Sequence, residues 1–247
     1  MSLQYQTDEG QEELIEAEPA ASQSVVRSEI PYYTYTLLAC IVAVSAAQFA
    51  AGIQRSALIA GFDKPAFVHD HEYWRIITGA VLHGGMLHLA MNGYALYSFG
   101  KLFEVLTNRA HLAVVFLASA IGGGVLSLIF LPDGISVGAS GGIVGLIGYL
   151  AVYAFRRRQF ISAEFRRSLL FNIGFIFVVG VAVLPNIDNF GHLGGLLTGA
   201  IYGFFQISGD QFVDPRGAGS APTTLGLVAL GIYIAAALFS IFLILYA

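Results

Sequence analysis

Three short polar strings stand at the beginning of apolar segments of this sequence. They are 83–92 (HGGMLHLAMN), 138–142 (GASGG) and 191–195 (GHLGG). Hydroxyl, imidazole and amide groups are costly inside segments long enough to cross a bilayer, and they usually mark function there. The three strings therefore predict a site for acid–base or nucleophilic chemistry close to one membrane surface.

Ser140 is the candidate nucleophile of this site and His192 its candidate base. Ser140 opens a predicted helix after a glycine-rich turn, and the first backbone N–H groups of a helix suit a developing oxyanion. The imidazole of His192 would take the hydroxyl proton and return it to a leaving amine. Apart from Asp188, no acidic residue lies close to either in the same half of a span, so we expect a dyad rather than a triad.

The donors that would stabilise an oxyanion come from two segments. His88 and Asn92 are four residues apart, so their side chains project from one face of a helix towards the same bound group. We expect them to form an oxyanion pocket with the backbone amides of Ser140 and Gly141. Removing one such donor typically costs about 3 kcal/mol of transition-state stabilisation.

Glycines at helical spacing predict how the two reacting groups meet. The segment after Ser140 carries them at 141, 145 and 148, and the segment of His192 carries them at 191, 195, 199 and 203. Small residues at this period allow two helix backbones to approach closely in lipid. We therefore expect these two helices to pack against each other and to bring the short serine side chain to the imidazole.

The composition predicts that these elements fold inside a membrane. The chain is 56% hydrophobic and 11% charged, and its mean hydropathy is +0.72. These values indicate a single-domain integral membrane protein of the all-α class, a polytopic helix bundle. The net charge of −4 and the absence of a basic stripe exclude nucleic-acid binding. One cysteine, Cys40, permits no internal disulfide.

Seven apolar spans are predicted. They cover residues 32–53, 83–106, 110–131, 137–155, 169–184, 189–207 and 224–246. We expect a disordered acidic tail over 1–30, a six-span core over 31–207, a linker over 208–223 and an additional transmembrane helix over 224–247. Residues 54–82 are interpreted as a long, partly apolar loop.

Basic residues predict the orientation of the bundle. The densest cluster lies between the fourth and fifth spans and consists of Arg156, Arg157, Arg158, Arg166 and Arg167. Positive loops face the cytoplasm, so the N-terminus is expected inside and the C-terminus outside. The three polar strings then share the extracytoplasmic side, within about 10 Å of the boundary at a rise of about 1.5 Å per residue. We expect the plasma membrane, which is the inner membrane of a bacterium.

Taken in order, the motifs resemble those of the rhomboid family of intramembrane serine proteases. The elements that match are Trp74-Arg75, the run His83/His88/Asn92, the GASG of 138–141 and the HLGG of 192–195. The resemblance covers about 32–207, and it also includes the additional C-terminal span found in some family members. It implies a six-helix core, Ser140 as nucleophile, His192 as base, and His88, Asn92 and the Ser140 amide as oxyanion donors.

The resemblance implies two structural roles and contains one departure. Trp74 and Arg75 would belong to an interfacial loop that Glu104 helps to brace. Val144 stands four residues after the serine, where some relatives carry an aromatic ring packed on the catalytic histidine. Another group must therefore orient His192.

These patterns predict a serine endopeptidase that cleaves single-span transmembrane proteins near the extracytoplasmic side of the bilayer, without metal or other cofactor. The alternative is a non-catalytic relative that binds transmembrane clients. A zinc protease is disfavoured because His71-Glu72 is followed by Tyr73-Trp74-Arg75, which lacks the second histidine of HExxH. Transport is disfavoured because inverted repeats and broken charged helices are not seen.

Overall fold

The computed structural model describes residues 30–182, 187–210 and 212–247. In this part of the chain the predicted all-α bundle is confirmed. The helices, in order, are α1 (Tyr32–Ala51), α2 (Ile53–Ala60), α3 (Lys64–His69), α4 (Arg75–Thr78), α5 (Met86–Leu106), α6 (Arg109–Phe130), α7 (Ser140–Arg156), α8 (Ala163–Ala182), α9 (Asn189–Gln206) and α10 (Ser220–Tyr246). The predicted tail, apart from Ile30, lies outside the described residues.

The segment between α1 and α5 is folded into short elements, whereas the sequence predicts a long loop there. It contains α2, α3, α4, a 3-10 helix (Gly79–Val81) and the strand β1 (Phe62–Asp63). β1 pairs antiparallel with β2 (Ile135–Ser136), with Phe62 opposite Ser136. These elements have two to eight residues, which is too short for a hydrophobic period to reveal them. Their contacts with the bundle and with β2 hold them in place.

Two of the long helices begin several residues before the predicted spans. α8 begins at Ala163 rather than at 169, and α10 begins at Ser220 rather than at 224. Counting apolar residues misses polar first turns such as that of α8, which contains Glu164. The end of the fifth predicted span, 183–184, lies outside the described residues.

Not every long helix is apolar enough by itself to identify a membrane span. Among the described residues α1, α6 and α10 combine sufficient length and hydropathy, and α7 is apolar but has 17 residues. α5 and α9 carry the polar residues of the candidate site, and α8 opens with charged residues. The chemistry of the site therefore lowers the hydropathy of the helices that hold it.

The expected contact between α7 and α9 is confirmed, and it joins backbone to backbone. A Cβ added at Gly199 would lie 1.9 Å from the carbonyl oxygen of Gly145, and one at Gly195 would lie 2.1 Å from that of Gly141. On the other side of α9, a Cβ at Gly194 would lie 2.5 Å from the carbonyl oxygen of Gly122 in α6. α9 is thus held between α6 and α7 at distances that only glycine permits.

The C-terminal helix α10 packs against α1 and α6 and holds the folded loop on the bundle. The hydroxyl of Tyr233 donates a hydrogen bond to the carbonyl of Ala80 at 3.1 Å. The ring of Phe239 meets Trp74 edge to face, with centroids 6.1 Å apart. Arg55 of α2 donates to the carbonyl of Ile244 at 2.9 Å. Both ends of the loop are therefore anchored to the last helix.

Replacing Gly199 with alanine should destabilise the bundle. The added methyl group would overlap the backbone of Gly145, and overpacking of this kind costs about 1–3 kcal/mol. The measurement is the thermal unfolding midpoint in one detergent. Gly231→Ala is the matched control, because a Cβ at Gly231 of α10 meets open space. Equal midpoints for the two variants would contradict the proposed closeness of α7 and α9.

Candidate active site

Ser140 is the first residue of α7 and follows a backbone turn that only glycine adopts easily. Gly138 has φ +137° and donates its N–H to the carbonyl of Gly79 at 2.9 Å. A Cβ at Gly138 would lie 2.8 Å from Cε1 of His88 and 3.6 Å from Oγ of Ser140. The serine hydroxyl and the His88 ring therefore flank the same glycine. The unpaired N–H groups of the first turn of α7 begin at this point.

His192 lies in the first turn of α9, and Asp188 caps that turn. Oδ1 of Asp188 accepts the N–H of Gly191 at 2.7 Å, and its carbonyl accepts the N–H of His192 at 3.0 Å. The His192 side chain is buried, and its Nδ1 has no hydrogen-bond partner among the described protein atoms. The ring of Phe177 in α8 meets it edge to face, with centroids 6.4 Å apart and planes at 84°.

Ser140 and His192 line one cavity of about 50 Å³. Gly141, Asp188 and Gly191 also line it, together with residues of the loop, of α6 and of β2. About 10–15 Å³ of cavity volume is enough to hold one water molecule, so this cavity has room for water. The fold thus brings the candidate nucleophile, the candidate base and the Gly141 backbone to one small polar space.

The two side chains predicted as oxyanion donors are placed differently from each other. Nδ1 of His88 accepts the N–H of Gly84 at 3.2 Å, and its ring packs against Gly138. Asn92 is buried one turn deeper, and its Nδ2 donates to the carbonyl of His88 at 3.1 Å. Neither residue lines the cavity. His88 stands beside the serine, whereas Asn92 uses one N–H within its own helix.

His83 has a structural environment. Gln48 of α1 donates to its carbonyl at 3.1 Å and accepts its N–H at 2.8 Å, while Ser45 Oγ lies 3.5 Å from Nδ1. Its ring meets that of His88 edge to face at 5.3 Å between centroids. These contacts hold His83 in the short segment that leads into α5, beside the site.

The structure changes the expected bracing of the loop. Arg75 is buried, pairs with Glu72 and donates to the carbonyls of Leu58 at 3.1 Å and Gly61 at 2.9 Å. Glu104 instead accepts hydrogen bonds from the N–H and hydroxyl of Thr34, at 2.8 and 2.7 Å, in the first turn of α1. The role expected for Glu104 in the loop is therefore wrong. From the last turn of α5, the Glu104 carboxylate satisfies one of the backbone N–H groups that lack an intrahelical partner at the start of α1.

Sequence reasoning missed two groups near the site. Phe177 is one of 19 phenylalanines and lies in a largely apolar span, so nothing in the sequence distinguishes it. Lys64 is buried, and its Nζ donates to Ser136 Oγ at 2.8 Å. Burial lowers the pKa of Lys64, while the nearby carboxylates of Asp188 and Asp63 act in the opposite direction. A lysine in a partly apolar loop was the one available signal.

Comparisons with known proteins agree with the resemblance of the motifs. A family model described as Rhomboid domain matches residues 70–209. RHOMBOID-like protein 6, mitochondrial, of Arabidopsis thaliana is 36% identical over 155 residues, which are 62% of this chain and 50% of that protein. Rhomboid protease GluP of Bacillus subtilis (strain 168) is 36% identical over 143 residues, which are 56% of this chain and 27% of that protein. The matched part spans at most half the length of these two relatives.

Replacing Gly138 with alanine should destabilise the protein by about 1–3 kcal/mol, because it combines a strained backbone with a clash against His88. The measurement is the free energy of unfolding in detergent. Gly84→Ala is the control, since a Cβ there would lie at an ordinary 3.6 Å from the same imidazole. If Gly138→Ala were as stable as Gly84→Ala, the described turn before Ser140 would be wrong.

Proposed function

Because the chain belongs to the rhomboid family, we propose that it is an intramembrane serine endopeptidase with Ser140 as nucleophile and His192 as base. The observation that carries this proposal is the single cavity that both residues line. The protein is an integral membrane protein, and the family includes a relative named as a protease. The sequence contains both side chains that the proposed acyl transfer requires, the hydroxyl of Ser140 and the imidazole of His192.

The proposed reaction has two steps. His192 takes the proton of the Ser140 hydroxyl while Oγ attacks the scissile carbonyl carbon, and the tetrahedral oxyanion is stabilised by the N–H groups of Ser140 and Gly141. The protonated imidazole then gives its proton to the leaving amine and an acyl-enzyme remains. A water molecule in the cavity, deprotonated by the same imidazole, hydrolyses the ester and restores the hydroxyl.

His88 and Asn92 are proposed as the side-chain donors of the oxyanion pocket. His88 suits this role because its ring lies against Gly138, next to the Ser140 hydroxyl. Its Nδ1 accepts a hydrogen bond from Gly84, which leaves Nε2 as the nitrogen that carries the proton in the neutral ring. Asn92 retains a second N–H beyond the one bonded to the carbonyl of His88.

The proposed substrates are single-span transmembrane proteins cut near the extracytoplasmic leaflet. The arginine cluster around 156–167 favours a cytoplasmic position for the connection between α7 and α8, which turns the start of α7 outwards. We propose the plasma membrane, with the N-terminus inside, the core over 31–207 and α10 as the additional helix. A scissile peptide must leave helical geometry to meet Ser140, so segments with glycine or proline should be preferred.

Ser140→Ala and His192→Ala should each lower turnover at least about a thousandfold, because each removes one half of a cooperating pair. The measurement is cleavage of a designed single-span substrate in proteoliposomes, with labelling of Ser140 by a fluorophosphonate. The exposed Ser168 and His69 supply matched alanine controls that should retain wild-type turnover. Near wild-type cleavage by either dyad variant would contradict the assignment. A wild-type protein that binds the substrate but neither cuts it nor reacts with the label would favour the client-binding alternative.

Phe177→Ala should lower kcat by up to about tenfold with little change in KM, because aromatic contacts of this kind are worth about 0.5–1.5 kcal/mol. We propose that the ring of Phe177 takes the role expected of an aromatic residue at 144, so that without it the imidazole of His192 gains unproductive rotamers. Steady-state cleavage of the same substrate measures the effect. Phe171→Ala, on the same helix but 71% exposed, is the control. Equal kcat values for the two variants would exclude Phe177 from orienting His192.

A further inference from the structure

A chain of four buried or half-buried polar side chains runs beside the cavity. Nζ of Lys64 donates to Ser136 Oγ at 2.8 Å, and Ser136 donates in turn to Oδ2 of Asp188 at 2.7 Å. The hydroxyl of Ser127 in α6 donates to the same carboxylate oxygen. Lys64 and Ser127 are each 1% exposed. A loop lysine, a strand serine, a helix serine and a helix cap are therefore linked in one network.

The chemistry of the groups in this network fixes which of them donates and which accepts each hydrogen bond. An ammonium group can only donate, so Ser136 must accept from Lys64 with a lone pair. Its single proton is then free to point at Asp188, which as a carboxylate can only accept. The positive charge of Lys64 and the negative charge of Asp188 thus share one bridging hydroxyl. Removal of one partner of a buried charge pair leaves the other charge uncompensated and is strongly destabilising.

The network joins the two segments that precede the reacting residues. Ser136 stands four residues before Ser140, and Asp188 stands four residues before His192. Ser136 is fixed to the loop through its pairing with Phe62, and Asp188 is fixed to α9 through its bond to the N–H of Gly191. The hydrogen bond between Ser136 and Asp188 is therefore a direct link between the serine turn and the first turn of the histidine helix.

We propose that Lys64, acting through Ser136 and Asp188, is a positioning residue that sets the register of Ser140 against His192. The proposal rests on the proposed protease function for its kinetic consequences, but its structural content is independent of activity. Lys64 touches neither the cavity nor the reacting atoms described above, so its effect is exerted on the geometry of the pair. A misplacement of about 1 Å in such a pair can cost a hundredfold in rate.

The test compares Lys64→Met, Ser136→Ala, the double variant and the control Lys101→Met, which replaces the other lysine of the chain at an exposed position. Turnover is expressed per active site titrated with the fluorophosphonate, so that misfolded protein does not contribute. Lys64→Met and Ser136→Ala should each lower kcat about tenfold to a hundredfold with KM within about twofold. The double variant should be no slower than the slower single variant, because both act through one path.

Hydrogen exchange supplies a readout that does not need activity. In Lys64→Met the amides around 138–141 and 189–192 should both exchange faster than in Lys101→Met. Should Lys64→Met fail to fold, Lys64→Gln, which keeps an N–H donor without the charge, and Ser136→Ala are measured instead. Wild-type kcat in these variants, or exchange that changes in only one of the two segments, would overturn the proposal. A wild-type protein that neither cleaves the substrate nor reacts with the label would contradict the proposed protease function. The hydrogen-exchange data alone would then decide whether Lys64 positions the two segments.

Discussion

The architecture depends on the contact of two helix backbones. A methyl group added at Gly195 or Gly199 of α9 would overlap the carbonyl oxygen of Gly141 or Gly145 in α7. Hydrophobic burial does not drive association between helices in lipid, so close van der Waals packing of small residues has to supply it. Because the contact begins near the first turns of both helices, Ser140 and His192 come to line the same cavity. The candidate dyad is a geometrical consequence of this packing.

The segment between α1 and α5, which lies beside these helix starts, contains irregular backbone, and side chains of the segment itself, of α1 and of α10 satisfy several of its polar groups. Arg75 donates to two loop carbonyls, Gln48 pairs with both backbone groups of His83, and Tyr233 donates to the carbonyl of Ala80. Non-helical backbone at membrane depth is tolerated only where protein or water provides such partners. The folded loop, α1 and α10 therefore form one support around the site rather than separate appendages.

The sequence revealed what periodicity and motif spacing can encode. The glycine rows of α7 and α9, the long helices and the placement of Ser140 and His192 at helix starts all follow from local patterns. It did not reveal α2 to α4 or the pairing of β1 with β2, because short elements take their stability from distant partners. Glu104 was misassigned since its partner, Thr34, lies 70 residues away and gives no signal near it. Lys64 was missed for the same reason, since Ser136 lies 72 residues away from it, whereas Phe177 does not stand out among 19 phenylalanines.

The structure also bears on why two residues rather than three would perform the chemistry. Asp188 is the nearest acidic residue to His192 in sequence, but both of its carboxylate oxygens are already engaged. Oδ1 caps α9 and Oδ2 accepts from Ser127 and Ser136. Nδ1 of His192 has no hydrogen-bond partner among the described protein atoms, and the ring of Phe177 meets the imidazole edge to face. In the proposed dyad, Asp188 would contribute by holding the first turn of α9, the helix that carries His192, rather than by bonding to the imidazole.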